Sequence, residues 1–206
     1  MKAKLSSIIY WSCIGLCIVL IPSINLIFYR SISTLLWFLL VFGVVVVATF
    51  LIAYLASLLP VKFYEPNRKI FHVFKFEKKL YEKLGIKRWK DNIPELGKQL
   101  SGFDKHTIAE PDNPEYIHKF LLENCKGSFL HTISILYSIL SILILIFILP
   151  WPFILTMWLP TAVVAIVVHN LSLMILRYTR PKLMVLLKRL TRNKEENKKE
   201  DIKDEK

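Results

Sequence analysis

The chain has 206 residues, 54% of them hydrophobic, and its mean hydropathy is +0.44. A soluble domain of this length has no need of apolar runs as long as those it carries. The net charge of +12, from 28 Lys and Arg against 16 Asp and Glu, fits anionic lipid beside membrane spans better than DNA, so no nucleic-acid partner is expected.

In chain order, the start M-K-A-K-L-S-S has the positive flank of a signal peptide, but the apolar run behind it is too long for one and no A-x-A site follows. Residues 8–28 therefore read as a retained first span. Pro22 and Asn25 lie near its far end, where a kink is tolerated. After a turn at Tyr29–Ser31, residues 35–59 form a second span ended by Pro60.

Residues 61–127 form a polar loop. Within it Phe76, Leu80 and Leu84 recur at four-residue spacing and Gly85 supplies a stop, which predicts an amphipathic helix. Trp89 among Lys87, Arg88 and Lys90 suits a lipid headgroup layer. Pro94 and Gly97 break the chain. Asp112 or Asn113 before Pro114 predicts a capped helix that carries Glu115, His118, Leu122 and Glu123 toward the membrane.

A third span covers 129–149, Pro150-Trp151-Pro152 makes a tight turn, and a fourth span covers 153–176. Residues 181–192, with Leu183, Leu187 and Leu190 on one face, read as a basic interfacial helix. Residues 193–206 are almost wholly charged and read as a disordered tail. The expected fold is thus all-α: one polytopic membrane domain over 1–192, with four spans. All but Arg30 of the lysines and arginines fall in the N-terminus, the long loop or the tail. The positive-inside rule then puts both termini and the loop in the cytoplasm of a multi-pass cell-membrane protein.

Ionisable groups at membrane depth are costly and are functional candidates. His131 lies about one turn inside the third span, and His169, with Asn170 beside it, about two turns before Arg177. Each histidine makes an interhelical hydrogen bond, or the two face one pocket with Glu123, Arg177 and Arg180. The arginines snorkel to lipid phosphate, or hold an anionic substrate bidentately. His72, His106 and His118 show no metal spacing and read as solvated, and Cys13, Cys17 and Cys125 form no CxxC pair; no metal is expected. No G-x-S-x-G, Walker A or G-x-G-x-x-G occurs.

Three segments carry a resemblance. F-K-F-E-K-K-L-Y-E-K-L-G-I-K-R-W-K-D-N-I-P, from Phe74 to Pro94, is similar to a pattern F-x-F-E, Y-x-K, K-W-K, P. L-E-N-C-K-G-S-F-L-H-T-I-S-I-L, from Leu122 to Leu136, is similar to E-T-x-R-A-E-x-x-H-W at the opening of a span. R-Y-T-R-P-K-L, from Arg177 to Leu183, is similar to R-Y-N-R-P-R-L preceded by Gln. Together, over about residues 60–190, they resemble the glycosyl-diaponeurosporenoate acyltransferases of staphyloxanthin biosynthesis and their wider family. Ser128 stands where that family usually has a second Glu, Thr132 replaces its Trp, Leu176 its Gln and Thr179 its Asn.

The resemblance implies a membrane acyltransferase that moves a fatty acyl group onto a hydroxyl of a glycosylated lipid or carotenoid acceptor. It carries over onto Trp89, Lys90, Glu123, His131, Arg177, Tyr178 and Arg180. His131 is the expected general base and Glu123 orients it or accepts a hydrogen bond from the acceptor, with Arg177 and Arg180 on an anionic head group and Asn170 on the acyl carbonyl. No bound cofactor is expected; acyl-CoA or acyl carrier protein is the co-substrate, and membrane lipids and the lipid-like acceptor are the partners. Two other readings stand beside this one: a non-catalytic four-span scaffold, and, with only two intramembrane histidines to serve it, a small transporter.

Overall fold

A computed structural model describes residues 2–30, 32–93 and 108–204. Among the described residues every regular element is helical. Among the described residues three helices are long and apolar enough to cross a membrane: α2 (Ser33–Ser57), α5 (Pro114–Leu145), and the helical rod Trp151–Glu196, which runs on to the end of α6 (Leu159–Asp204). The N-terminal helix α1 (Lys2–Tyr29) contributes a shorter apolar stretch, Ile14–Tyr29. Helices of this length and composition identify a membrane protein. Two short helices, α3 (Lys75–Lys83) and α4 (Ile86–Trp89), lie between α2 and α5.

Local chemistry sets the boundaries. Arg30 takes a positive φ of 49° in the turn between α1 and α2. Gly85 takes φ 72° just past α3, a backbone state that glycine enters without steric cost, and so ends that helix. Asn113 Oδ1 accepts from the backbone N–H groups of Glu115 and Tyr116 at 3.0 and 3.3 Å and so caps α5, which starts at Pro114. A π-type segment, Ile154–Trp158, leads into α6.

The chain divides into two compact units. The first comprises Met1–Leu59, Arg88–Pro94 and Phe129–Leu173. Its core joins Val41 of α2 to Trp158 and Ala162, with Ile142, Leu145 and Phe153 packed around them. Trp37 and Phe153 meet edge to face, ring centroids 5.7 Å apart. Polar side chains link the helices too. Asn25, fully buried, donates through Nδ2 to the carbonyls of Ile21 and Thr156 at 2.7 and 2.8 Å, and Trp158 Nε1 donates to Ser141 Oγ at 3.1 Å. The sequence offered Asn25 only as a tolerated kink; its partner lies 131 positions away.

The second unit comprises Pro60–Lys87, Glu95–Ser128 and Met174–Lys206. Leu183, with Leu187 and Leu190, packs on Ile117, Phe120 and Leu121 of α5. The leucine face that the sequence assigns to the bilayer surface thus has a protein partner of matching apolar character. Gly127 allows Leu176 to come close, since a Cβ there would lie 3.1 Å from Leu176 Cδ1. The backbone of α6 stays helical to Asp204, where the sequence predicts a disordered tail from residue 193; a helix already nucleated by packing propagates cheaply into such a run.

The amphipathic helix expected around Phe76 is α3, but the face it buries is not the apolar one. Glu77 and Tyr81 point inward, whereas Phe76, Leu80 and Leu84 are exposed. The expected breaks at Pro94 and Gly97, and His106, lie outside the described residues.

Candidate functional site

In the first unit the two intramembrane histidines meet. His131 of α5 and His169 of α6 face each other through their Nδ1 atoms at 3.0 Å, with ring centroids 5.3 Å apart and planes tilted by 47°. At that distance the two nitrogens share one proton: one ring donates and the other accepts. When His131 donates, its Nε2 holds a lone pair and can accept a proton. When it accepts, its Nε2 carries hydrogen and can donate. The pair therefore has the means to serve as base and then acid without either ring leaving its place.

The neighbouring polar groups are laid out along α5. Ser134, one turn past His131, is buried, and its Oγ has no hydrogen-bond partner among the described residues. Ser138 turns its hydroxyl back to the Ser134 carbonyl at 2.9 Å. Asn170 is exposed. Trp89 and Lys90 are half-buried in this same unit, and Lys90 Nζ pairs with Asp91 at 2.5 Å.

In the second unit the arginines are held by protein groups. Arg177 clamps Glu77 with two bonds of 2.6 Å, from Nε and Nη2, and Nη2 also reaches the His72 carbonyl at 2.8 Å. Glu77 further accepts from the Phe74 backbone N–H at 3.0 Å and the Tyr81 hydroxyl at 2.9 Å. Burial alone would raise this carboxyl. The bonds from Arg177, Phe74 and Tyr81, together with the Arg177 charge, prevail and hold it at about 2. Burial, then the bond to Glu77 and its charge, push the Tyr81 hydroxyl up to about 12.

Arg180 has no exposed surface. It donates to Asn124 Oδ1 at 2.9 Å, to the Phe71 carbonyl at 2.7 Å and to Ser128 Oγ, and its guanidinium lies 5.5 Å from the Phe71 ring centroid. Asn124 in turn donates to the Leu176 carbonyl at 3.1 Å. The Tyr178 hydroxyl donates to Glu82 at 3.2 Å, and Lys182 sits 5.1 Å over its ring. The bond from Lys87, 3.1 Å away, holds the Glu82 carboxyl below its ordinary range.

Glu123 is half-buried, and its charge acts on Tyr64. His118, expected in solvent, pairs with Glu65 at 3.2 Å. A shallow groove of about 480 Å³ is lined by Pro114, Glu115, His118, Lys119, Leu187, Thr191 and Lys194, none of which the sequence marked for a site. Among the described residues no three His, Cys, Asp or Glu side chains gather as a metal ion would require.

The structure thus brings His131 and His169 together, and gives Arg177, Arg180 and Tyr178 internal partners. Glu77 stands in the F-x-F-E pattern without a role attached to it, and nothing in the sequence singles out Ser134. Glu77 reaches back to the Phe74 backbone N–H, but with Phe rather than Ser or Thr at the helix start no capping box announces it. Nothing local announces its bond to Arg177.

A family model described as glycosyl-4,4'-diaponeurosporenoate acyltransferase matches residues 67–189. No curated protein and no solved structure matches the chain.

Proposed function

The chain belongs to the glycosyl-4,4'-diaponeurosporenoate acyltransferase family, an assignment that makes it an acyltransferase of carotenoid biosynthesis, and from that premise we propose that it esterifies a sugar hydroxyl of a glycosylated carotenoid or similar lipid. We place the reaction at the cytoplasmic leaflet, in a four-span protein with both termini in the cytoplasm, because Arg30 alone of the lysines and arginines lies outside the N-terminus, long loop and tail.

The observation that carries the reading is the His131–His169 pair. The acceptor hydroxyl gives its proton to His131 Nε2 as its oxygen attacks the carbonyl carbon of an acyl thioester. The thioester C–S bond breaks on collapse of the tetrahedral adduct, and His131 returns the proton to the departing sulfur. His169 fixes the His131 ring and its proton through Nδ1. We assign the Ser134 hydroxyl, one turn along α5 and buried without a partner among the described residues, to the developing oxyanion. Asn170, exposed beside His169, keeps its assignment to the acyl carbonyl. Trp89 and Lys90 are assigned to the polar end of the donor, acyl-CoA or acyl carrier protein. Glu123 enters through the family motif as an orienting carboxylate.

Arg177 and Arg180 take a different part from the one their sequence suggests. An anionic head group at Arg177 would have to displace Glu77, and Arg180 presents no surface to one. We assign both to holding α3, α5 and the Met174–Lys206 part of α6 in register.

The test is pigment and lipid analysis of cells that make the glycosylated carotenoid, with and without this chain. The expected product is heavier by one fatty acid less water, and His131→Ala makes little of it while still inserting in the membrane. Equal product from His131→Ala and Glu123→Gln and from the unaltered chain would overturn the site. Unchanged lipids together with co-purifying pathway enzymes would favour the scaffold reading.

A further inference from the structure

Helix α3 has an exposed apolar edge with an unusual setting. At 100° per residue, its side chains fall into stripes. Glu77 and Tyr81 form the buried one. Beside it run Phe76 and Leu80, continued by Phe74 before the helix and Leu84 after it; Phe76 is 64% exposed, and Phe74 stacks on it with centroids 5.7 Å apart. Beside that, on the side away from the body of the unit, run the exposed lysines Lys75, Lys79 and Lys83. The remaining stripe carries Lys78 and Glu82, both exposed. The apolar edge thus lies between protein on one side and a row of positive charge on the other.

A second observation says where this edge sits. The Glu77–Arg177 clamp fixes α3 beside Arg177. Arg177 is the first charged residue after the long apolar run of α6, where a span meets the membrane surface. An amphipathic helix held at that level, apolar along one edge and lysine-rich along the next, matches the boundary between acyl chains and anionic phosphates. We propose that α3 lies in the surface of an anionic bilayer, with Phe74, Phe76 and Leu80 in the acyl boundary and Lys75, Lys79 and Lys83 on lipid phosphates. The carboxylate that keys it there, Glu77, is turned inward, which leaves the lipid-facing edge without negative charge.

The test uses the full chain in nanodiscs of phosphatidylcholine, with or without phosphatidylglycerol. Cys13 and Cys17 are replaced by Ala, and Cys125 is left because it is buried. Single cysteines at Phe76→Cys, Leu80→Cys, Lys78→Cys and Glu82→Cys carry a fluorophore. Lipids spin-labelled near the headgroup should quench positions 76 and 80 several-fold more than 78 and 82, as burial to about 5–10 Å requires. The contrast should be greater with phosphatidylglycerol, and the triple change Lys75→Gln, Lys79→Gln and Lys83→Gln should reduce it to the phosphatidylcholine level. Quenching of 76 and 80 only by an aqueous reagent would overturn the proposal, as would shielding of both from lipid and aqueous reagents alike, which would mean a protein cover. No effect of phosphatidylglycerol or of the lysine changes would overturn its anionic-lipid half. In the unaltered protein, a photoactivatable lipid should label the peptide containing Phe74–Leu80; absence of that label contradicts the proposal without any substitution.

Discussion

The two units hold their ionisable groups in opposite ways. In the first, two imidazoles face each other with one proton between them, and neither needs a formal charge to make the contact. In the second, a guanidinium and a carboxylate cancel each other, and that carboxylate is saturated by Arg177, Phe74 and Tyr81. A saturated ion pair has no spare lone pair or proton and resists rearrangement. A histidine pair retains a second nitrogen, Nε2, on each ring, which is chemically able to exchange a proton. The contrast separates the group suited to chemistry from the group suited to holding the fold, although both draw on α5 or α6 and both involve residues near the family's motifs.

Substitution should separate them in the same way. The largest effect is expected in the first unit. His131→Ala should lower acyl transfer by about 10²–10⁴-fold, the range for a general acid–base group, while the unfolding temperature in detergent moves little. A loss of folded protein instead would merge the two roles. Glu77→Ala should do the reverse. It strands Arg177 in a mostly buried site and should cost about 3–5 kcal/mol of stability, read as a fall in unfolding temperature and in the yield of folded protein.

Acid should probe the same pair with the sequence intact. Glu77 is held at about 2, below the ordinary 4.5. Its contribution is therefore complete above the ordinary value and is lost as the pH falls through about 2. The unfolding temperature should drop over that interval, and Glu77→Gln should flatten the drop. The smallest effect is expected at Asn25. Asn25→Ala removes the bond to Thr156 and should cost about 0.6–1.7 kcal/mol, as single polar contacts between spans do; thermal unfolding in detergent measures it.

Much of the fold was legible because the hydrocarbon core demands long apolar runs, and α2, α5 and α6 carry them. The cap at Asn113 and the stop at Gly85 were legible because each acts on its own neighbours. The two histidines stood out because polar groups are costly at that depth. What escaped was long-range pairing. The periodicity of Phe76, Leu80 and Leu84 marks an amphipathic helix but does not say which face is buried, and here a carboxylate satisfied by a residue 100 positions away takes the inside. The leucines at 183, 187 and 190 suit a bilayer or a helix equally well, and only the presence of Ile117 and Leu121 opposite decides. Arg177 and Arg180 likewise carry the same motif whether they meet a ligand or groups of the protein itself, Glu77 for the first and Asn124, Ser128 and the Phe71 carbonyl for the second.

The central claim is that His131 and His169 act as one proton-transfer unit. The most direct measurement is a double-mutant cycle on the rate of acyl transfer, using an acyl-CoA donor and the glycosylated carotenoid in reconstituted vesicles. His131→Ala and His169→Ala should each be strongly impaired, and the double variant should be no worse than His131→Ala alone. Losses that multiply, or a His169→Ala variant as active as the unaltered protein, would contradict it.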